Sequence, residues 1–217
     1  MEHGGDPAAA LAAVALPEGA GVDTAWSANV TGAAHGDRLA AAVRARFGVD
    51  LHQAAVQRGL AGLAVAYAEP SRLGVDRWLT MLALWCELRG AFVVASAGTA
   101  LTFDAVDGRG QHLGGVIAPG LLTAQRAVLG ATRFDAAAPA QSYTAGLGSD
   151  TDACVRQGAL HACIGLIERL AARFAPAGMP RVLTGGDAAR LAAAAEGGWM
   201  VRDDLVLAGL LHYRAFA

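Results

Sequence analysis

The sequence contains no lysine; all 17 of its basic residues are arginine. That absence removes the lysine of a Walker-A phosphate loop, a Schiff-base lysine and the ATP-pairing lysine of protein kinases. Any phosphate this chain handles must be met by arginine, hydroxyls and backbone amides. Cysteine is scarce too. Cys86, Cys154 and Cys163 are odd in number and share no C-x-x-C spacing, so they read as buried reduced thiols, not a disulfide framework or a zinc site. The six histidines show no H-E-x-x-H or other close ligand spacing, and no G-x-S-x-G elbow is present. Charge is also thin. With 17% charged residues and a net charge of −2, there is no electrostatic footprint for nucleic acid or an anionic membrane. No apolar run reaches the ~18–20 residues of a membrane-spanning helix, and "MEHGGDPAAALAAVALPEG" lacks the basic start of a secretion signal. A cytoplasmic chain is expected.

What is present is apolar and patterned. Hydrophobic residues make up 54% of 217, enough to bury a real core in one larger domain or two small ones. An Ala-rich helix is expected near the start, then a strand at 24–30 and a helix over 37–47 ended by Gly48. In "VDRWLTMLALWCELRG", Trp78, Leu82, Trp85 and Leu88 recur at three- and four-residue steps, which predicts a helix with one strongly apolar face. Asp76 stands at its N-cap and Gly90 at its close. The period then changes. "AFVVASA", "ALTFDAV" and "QHLGGVIA" read as three short strands, turned at Gly98-Thr99 and Asp107-Gly108. Helices follow over 121–129 and 152–174, a strand and glycine turn at "RVLTGG", and helices over 187–195 and at the end. A meander feeding helices, then a β-turn-α unit, is an α/β domain. Trp78, Trp85 and His161 read as core.

The stretch "VVASAGTALTFDAVD" carries Ser96, Thr99, Thr102 and Asp104 within one hairpin. A tight Gly-Thr turn can aim successive N–H groups outward as an anion nest, with Gly98, Thr99 and Thr102 as phosphate donors. Asp104, on the same strand face as Thr102, could then hold Mg²⁺ or a water. The alternative is a plain hairpin whose threonines satisfy turn amides.

Surrounding blocks bear on that choice. "YAEPSRLGVDRW" precedes the hairpin, and "HLGGVIAPGLLTAQRAVLGATRF", "SDTDACVRQGA" and "VLTGGDA" follow it. In that order they resemble the type III pantothenate kinases, of the acetate kinase, sugar kinase, Hsp70 and actin superfamily, from Trp26 to about Leu211. The resemblance implies an actin-like ATPase (ribonuclease H-like) fold of two similar α/β halves. Residues 1–90 would form a partial first half, and 91–217 the second, with the phosphate hairpin and adenosine loop. It implies ATP-dependent phosphorylation of pantothenate, with Mg²⁺, in a homodimer. By the same resemblance Gly74, Val75, Asp76 and Arg77 are the substrate segment G-x-D-R, with Asp76 the proton acceptor. Tyr67 is a further substrate contact and Thr151 another, made across the dimer. Thr99 is the ATP-phosphate threonine, and Gly185 and Gly186 lie in the adenosine loop. A carboxylate kept ionised by a helix N-terminus suits a modest base, and Arg77 beside it could pair bidentately with the substrate carboxylate.

Two departures follow from the same resemblance. The family pattern places an acid, which helps hold a monovalent cation, where this chain has Ser96. A hydroxyl is a weaker cation ligand, so dependence on K⁺ or NH₄⁺ is not expected. The family also begins with a D-x-G-N-T/S phosphate loop, and no such segment occurs in these 217 residues. Two readings are therefore carried: a pantothenate kinase, or a catalytically impaired, truncated relative acting as a regulatory or interaction protein.

Overall fold

The computed structural model describes residues 6–18, 20–133 and 142–216. Asp6 caps the short helix α1 (Pro7–Ala12) by accepting from the Ala8 N–H. Then come β1 (Ala25–Ser27), α2 (Ala33–Phe47) and β2 (Leu51–Gln53), the two strands paired in parallel. A small antiparallel pair, β3 (Gly59–Leu60) and β4 (Leu63–Ala64), leads through a 3-10 turn at Pro70–Arg72 into α3 (Val75–Leu88).

Of the stripe predicted for α3, Trp78, Leu82 and Trp85 are buried but Leu88 is exposed, and residues 77–85 are buried on every side of the helix, not on one face. Each large apolar side chain removed from water contributes roughly 1.5–3 kcal/mol. Both ends differ from expectation. Gly74, not Asp76, is the N-cap, and Asp76 falls in the first turn. At the other end Arg89 takes the left-handed conformation expected of Gly90, with φ 47°. Its guanidinium donates to the Ala61 carbonyl (2.8 Å), which also receives the Trp85 indole N–H (3.1 Å). Those contacts hold a conformation that a non-glycine residue seldom adopts.

Next come β5 (Phe92–Ala97), β6 (Ala100–Val106) and β7 (His112–Pro119), the meander predicted from three short runs and their glycine turns. Helices α4 (Leu121–Ala131) and α5 (Thr151–Phe174) follow. The chain continues with β8 (Arg181–Thr184), α6 (Ala188–Ala194), β9 (Met200–Val201) and α7 (Leu205–Arg214). The sheet order is β7-β6-β5-β8-β9, with β6 antiparallel to both neighbours and β8 and β9 parallel to β5. This mixed α/β sheet is the ribonuclease H-like class expected.

Strand period divides the core between the two faces. Phe92 and Val94 point into one cluster with α3 and α7, whereas Val93, Ala95 and Ala97 point into another with α5 and α6. The Leu160, Cys163 and Ile167 face of α5 is buried against this sheet. His161, expected in the core, is exposed, and so is Cys154. Of the three thiols only Cys163 is fully buried; burial, and then the Asp187 charge, push it up to about 11.

Candidate functional site

The β5–β6 turn is tight, with Ala97 facing Leu101 and the Gly98 N–H donating to the Ala100 carbonyl (3.0 Å). Two further loops press onto it. Gly120, which starts α4, lies so close that a Cβ there would come within 1.9 Å of the Gly98 oxygen. Gly185 has φ +94°, and a Cβ there would meet the Ala97 oxygen at 2.5 Å. Only glycine permits either approach. Further bonds fix the convergence: the Gly120 N–H (3.1 Å) and the Thr123 hydroxyl (2.6 Å) both donate to the Thr99 carbonyl, and the Asp187 N–H (3.1 Å) donates to that of Ala97.

The result is a cavity of about 260 Å³, lined by Gly98, Thr99, Thr123, Arg126, Tyr143, Gly186, Asp187 and Arg190. Thr99 and Gly186 are exposed, so both remain available to a ligand. Asp187 is ion-paired with Arg190. Arg126 lines the cavity with a positive charge and has no hydrogen bond or ion pair among the described residues. Sequence reading missed Thr123, Arg126 and Tyr143. The signal for the first two was their three-residue spacing on a helix starting beside the turn.

The second group of predicted residues gathers between α3 and the β5–β6 face. Asp76, Arg77, Thr80, Ser96, Thr102 and Asp104 border a slot of about 20 Å³, room for about one water. Asp76 is half-buried, and its carboxylate has no hydrogen bond or ion pair among the described residues. As a cap it would have been occupied. In the first turn it is free.

Arg77 is far from free. It is 6% exposed and binds Asp104 bidentately, Nε to Oδ2 at 2.9 Å and Nη2 to Oδ1 at 2.6 Å, while Nη1 donates to the Tyr67 hydroxyl (3.2 Å). Burial works against the guanidinium charge, but the hydrogen-bonded Asp104 carboxylate outweighs it and raises the Arg77 pKa further above its ordinary value. Asp104, 2% exposed, also contacts His112 Nε2 (3.0 Å). Two expectations are corrected here. Asp104 is not available to Mg²⁺ or a phosphate-bound water, because arginine and histidine already engage it. The Arg77 fork points at Asp104, so it does not offer a bidentate grip to a substrate carboxylate. The G-G of "HLGGV" now has a reason. Gly115 pairs with Asp104, and a Cβ there would lie 2.2 Å from Asp104 Oδ1 and 2.3 Å from Arg77 Nη2.

Tyr67 is half-buried and joins this group through Arg77. Gly74 and Val75 form the cap and first residue of α3 beside Asp76. The β5–β6 turn and Asp76 do not share one cavity. They line neighbouring stretches of the same hairpin, Ser96 and Thr102 in one and Gly98 and Thr99 in the other. Thr151 is elsewhere. It is the exposed first residue of α5, after the cap Asp150, on a largely apolar cavity of about 660 Å³ between α4 and α5. Among the described residues no cluster of three or more His, Cys, Asp or Glu could hold a metal, and no helix is long and apolar enough to cross a membrane.

Comparison with known proteins now bears on these residues. The family profile described as Type III pantothenate kinase matches residues 3–173. The chain belongs to the type III pantothenate kinase family. Similar members include the type III pantothenate kinase of Chromobacterium violaceum, 36% identical over 192 residues, spanning 86% of this chain and 78% of that one. That of Halorhodospira halophila is 33% identical over 193 residues, spanning 86% and 74%. Among solved structures, the ethanolamine utilization protein EutJ from Carboxydothermus hydrogenoformans superposes with a TM-score of 0.47 at 13% identity, covering 82% of this chain and 71% of that one.

Proposed function

We propose that this chain transfers the terminal phosphoryl group of ATP to the primary alcohol of pantothenate, giving 4′-phosphopantothenate and ADP, the first step of coenzyme A biosynthesis. The observation that carries the reading is the unpartnered, half-buried Asp76 carboxylate in the first turn of α3, beside the Arg77–Tyr67 pair. A loose phosphoryl-transfer transition state needs positioning, charge neutralisation and a modest base to orient the hydroxyl. Asp76 takes the alcohol proton as the new phosphorus–oxygen bond forms. Tyr67 accepts from Arg77, which leaves its own hydroxyl proton to donate to a pantothenate oxygen. The Gly74–Val75 backbone borders the same alcohol.

On the other side of the hairpin, Thr99 and Arg126 meet the ATP phosphates, and Gly185 and Gly186 shape the adenosine side. Bound with ATP, Mg²⁺ would supply neutralisation of phosphate charge; of the carboxylates on these two cavities, Asp76 is the one with no protein partner among the described residues. The enzyme acts in the cytoplasm as a homodimer, and Thr151 reaches the partner's pantothenate across the α4–α5 cavity. A monomer by light scattering would overturn the Thr151 role.

The deciding assay mixes the purified 217-residue chain with ATP, Mg²⁺ and a panel of pantothenate, acetate and sugars. 4′-Phosphopantothenate is the expected product. No product together with no ATP binding would reject the enzyme reading, while ATP binding without turnover would favour a regulatory relative. With a hydroxyl in place of the acid at Ser96, the rate should change less than about twofold when Na⁺ replaces K⁺ or NH₄⁺. A tenfold or greater stimulation by either cation would refute that expectation.

A further inference from the structure

Sequence reading attached no role to His112, yet it is 1% exposed and makes two polar contacts. Its Nδ1 accepts from the Ala66 N–H (3.4 Å), so the ring proton sits on Nε2 and is donated to Asp104 Oδ1 (3.0 Å). Its ring also lies nearly parallel to that of Tyr67, with centroids 6.2 Å apart and planes at 13°. These contacts close a circuit. Ala66 binds His112, His112 binds Asp104, Asp104 holds Arg77, Arg77 holds the Tyr67 hydroxyl, and Tyr67 is covalently joined to Ala66.

Resting on the pantothenate reading above, we infer that His112 is a positioning residue for substrate recognition: it fixes the Tyr67 segment to the sheet so that the phenol proton points at the bound substrate. Tyr67 sits in the irregular stretch between β4 and α3, with no strand or helix of its own. Its placement therefore depends on side-chain contacts, and the circuit supplies one at the backbone of the preceding residue Ala66, one at the Tyr67 ring and one at its hydroxyl. A buried network in which every member is satisfied rigidifies the groups it holds. Supporting partners of this kind typically affect the groups they orient by ten- to a hundredfold.

His112→Phe keeps an aromatic ring but removes both hydrogen bonds. The KM for pantothenate should rise on the order of tenfold, with the KM for ATP within about twofold. His112→Gln, whose amide can still donate to Asp104, should recover part of the loss. Tyr67→Phe should raise the same KM, and adding His112→Phe to it should cost little more, because both act through one hydroxyl. A purely structural role predicts a lower melting temperature, equal effects on both KM values and additive losses; that pattern would overturn the inference. Hydrogen exchange on the ligand-free chain gives an independent reading. The Ala66 amide should exchange at least tenfold faster in His112→Phe while β5 amides keep their protection. Unchanged Ala66 exchange would also overturn it. Should the wild-type chain bind no pantothenate, the functional reading fails, and the exchange measurement alone decides whether His112 anchors Tyr67.

Discussion

Asp76→Asn should lower kcat by about 10²–10⁴-fold, the usual contribution of a positioned general base, while the KM for pantothenate changes little. The amide keeps the size of the carboxylate but cannot take a proton from the substrate alcohol. No described protein group loses a partner, since none among the described residues binds Asp76. The stability cost should therefore be confined to the lost charge at the helix N-terminus, about 0.3–1 kcal/mol. This outcome separates two roles for one residue. Were Asp76 a helix cap, asparagine would serve nearly as well, and both activity and stability would survive. Steady-state kinetics and chemical denaturation on one protein preparation give the answer. A variant retaining more than a third of kcat would remove Asp76 from the reaction.

How far these roles were readable in the sequence depends on the reach of each signal. The β5–β6–β7 meander was legible because its short apolar runs are bounded by glycine-bearing turns, so Gly98-Thr99 lies where the pattern puts it. The helix α3 was legible from its period near 3.6, but its burial on every side over residues 77–85, and the exposure of Leu88, were not. Caps were less so. Asp is a favoured N-cap and Gly a favoured closing residue, but Gly74 and Arg89 hold those places, because preferences for a position are outweighed by contacts such as the one from Arg89 to Ala61. His161 follows Leu160 by one step, about 100° round the helix, which turns it from the sheet to solvent. Strands of two or three residues, such as β2 to β4 and β9, are too short to carry any period. The Arg77–Asp104–His112 group had no local signature. Its members are 27 and 8 residues apart, and only the completed sheet, with Gly115 leaving room, brings them together.

That group gives the largest expected effect on stability. Asp104→Ala leaves the Arg77 guanidinium buried with its main counter-charge gone, and removing one member of a buried pair typically costs 3–5 kcal/mol. Arg77 cannot relieve the problem by losing its proton, since arginine stays charged in proteins. For a chain of this length the melting temperature should fall by roughly 6–20 °C. Asp104→Asn, which still accepts one hydrogen bond, should fall less. The double variant Arg77→Met with Asp104→Leu should unfold later than Asp104→Ala, because two apolar groups leave no unpaired charge. It should nevertheless bind pantothenate poorly, because Tyr67 loses the donor to its hydroxyl. Stability and recognition then separate: the ion pair is kept for where it holds Tyr67, and its removal as a pair is tolerated by the fold but not by the site. If Asp104→Ala unfolds at the wild-type denaturant concentration, Arg77 has found water or another partner, and the buried circuit is not what holds the substrate segment.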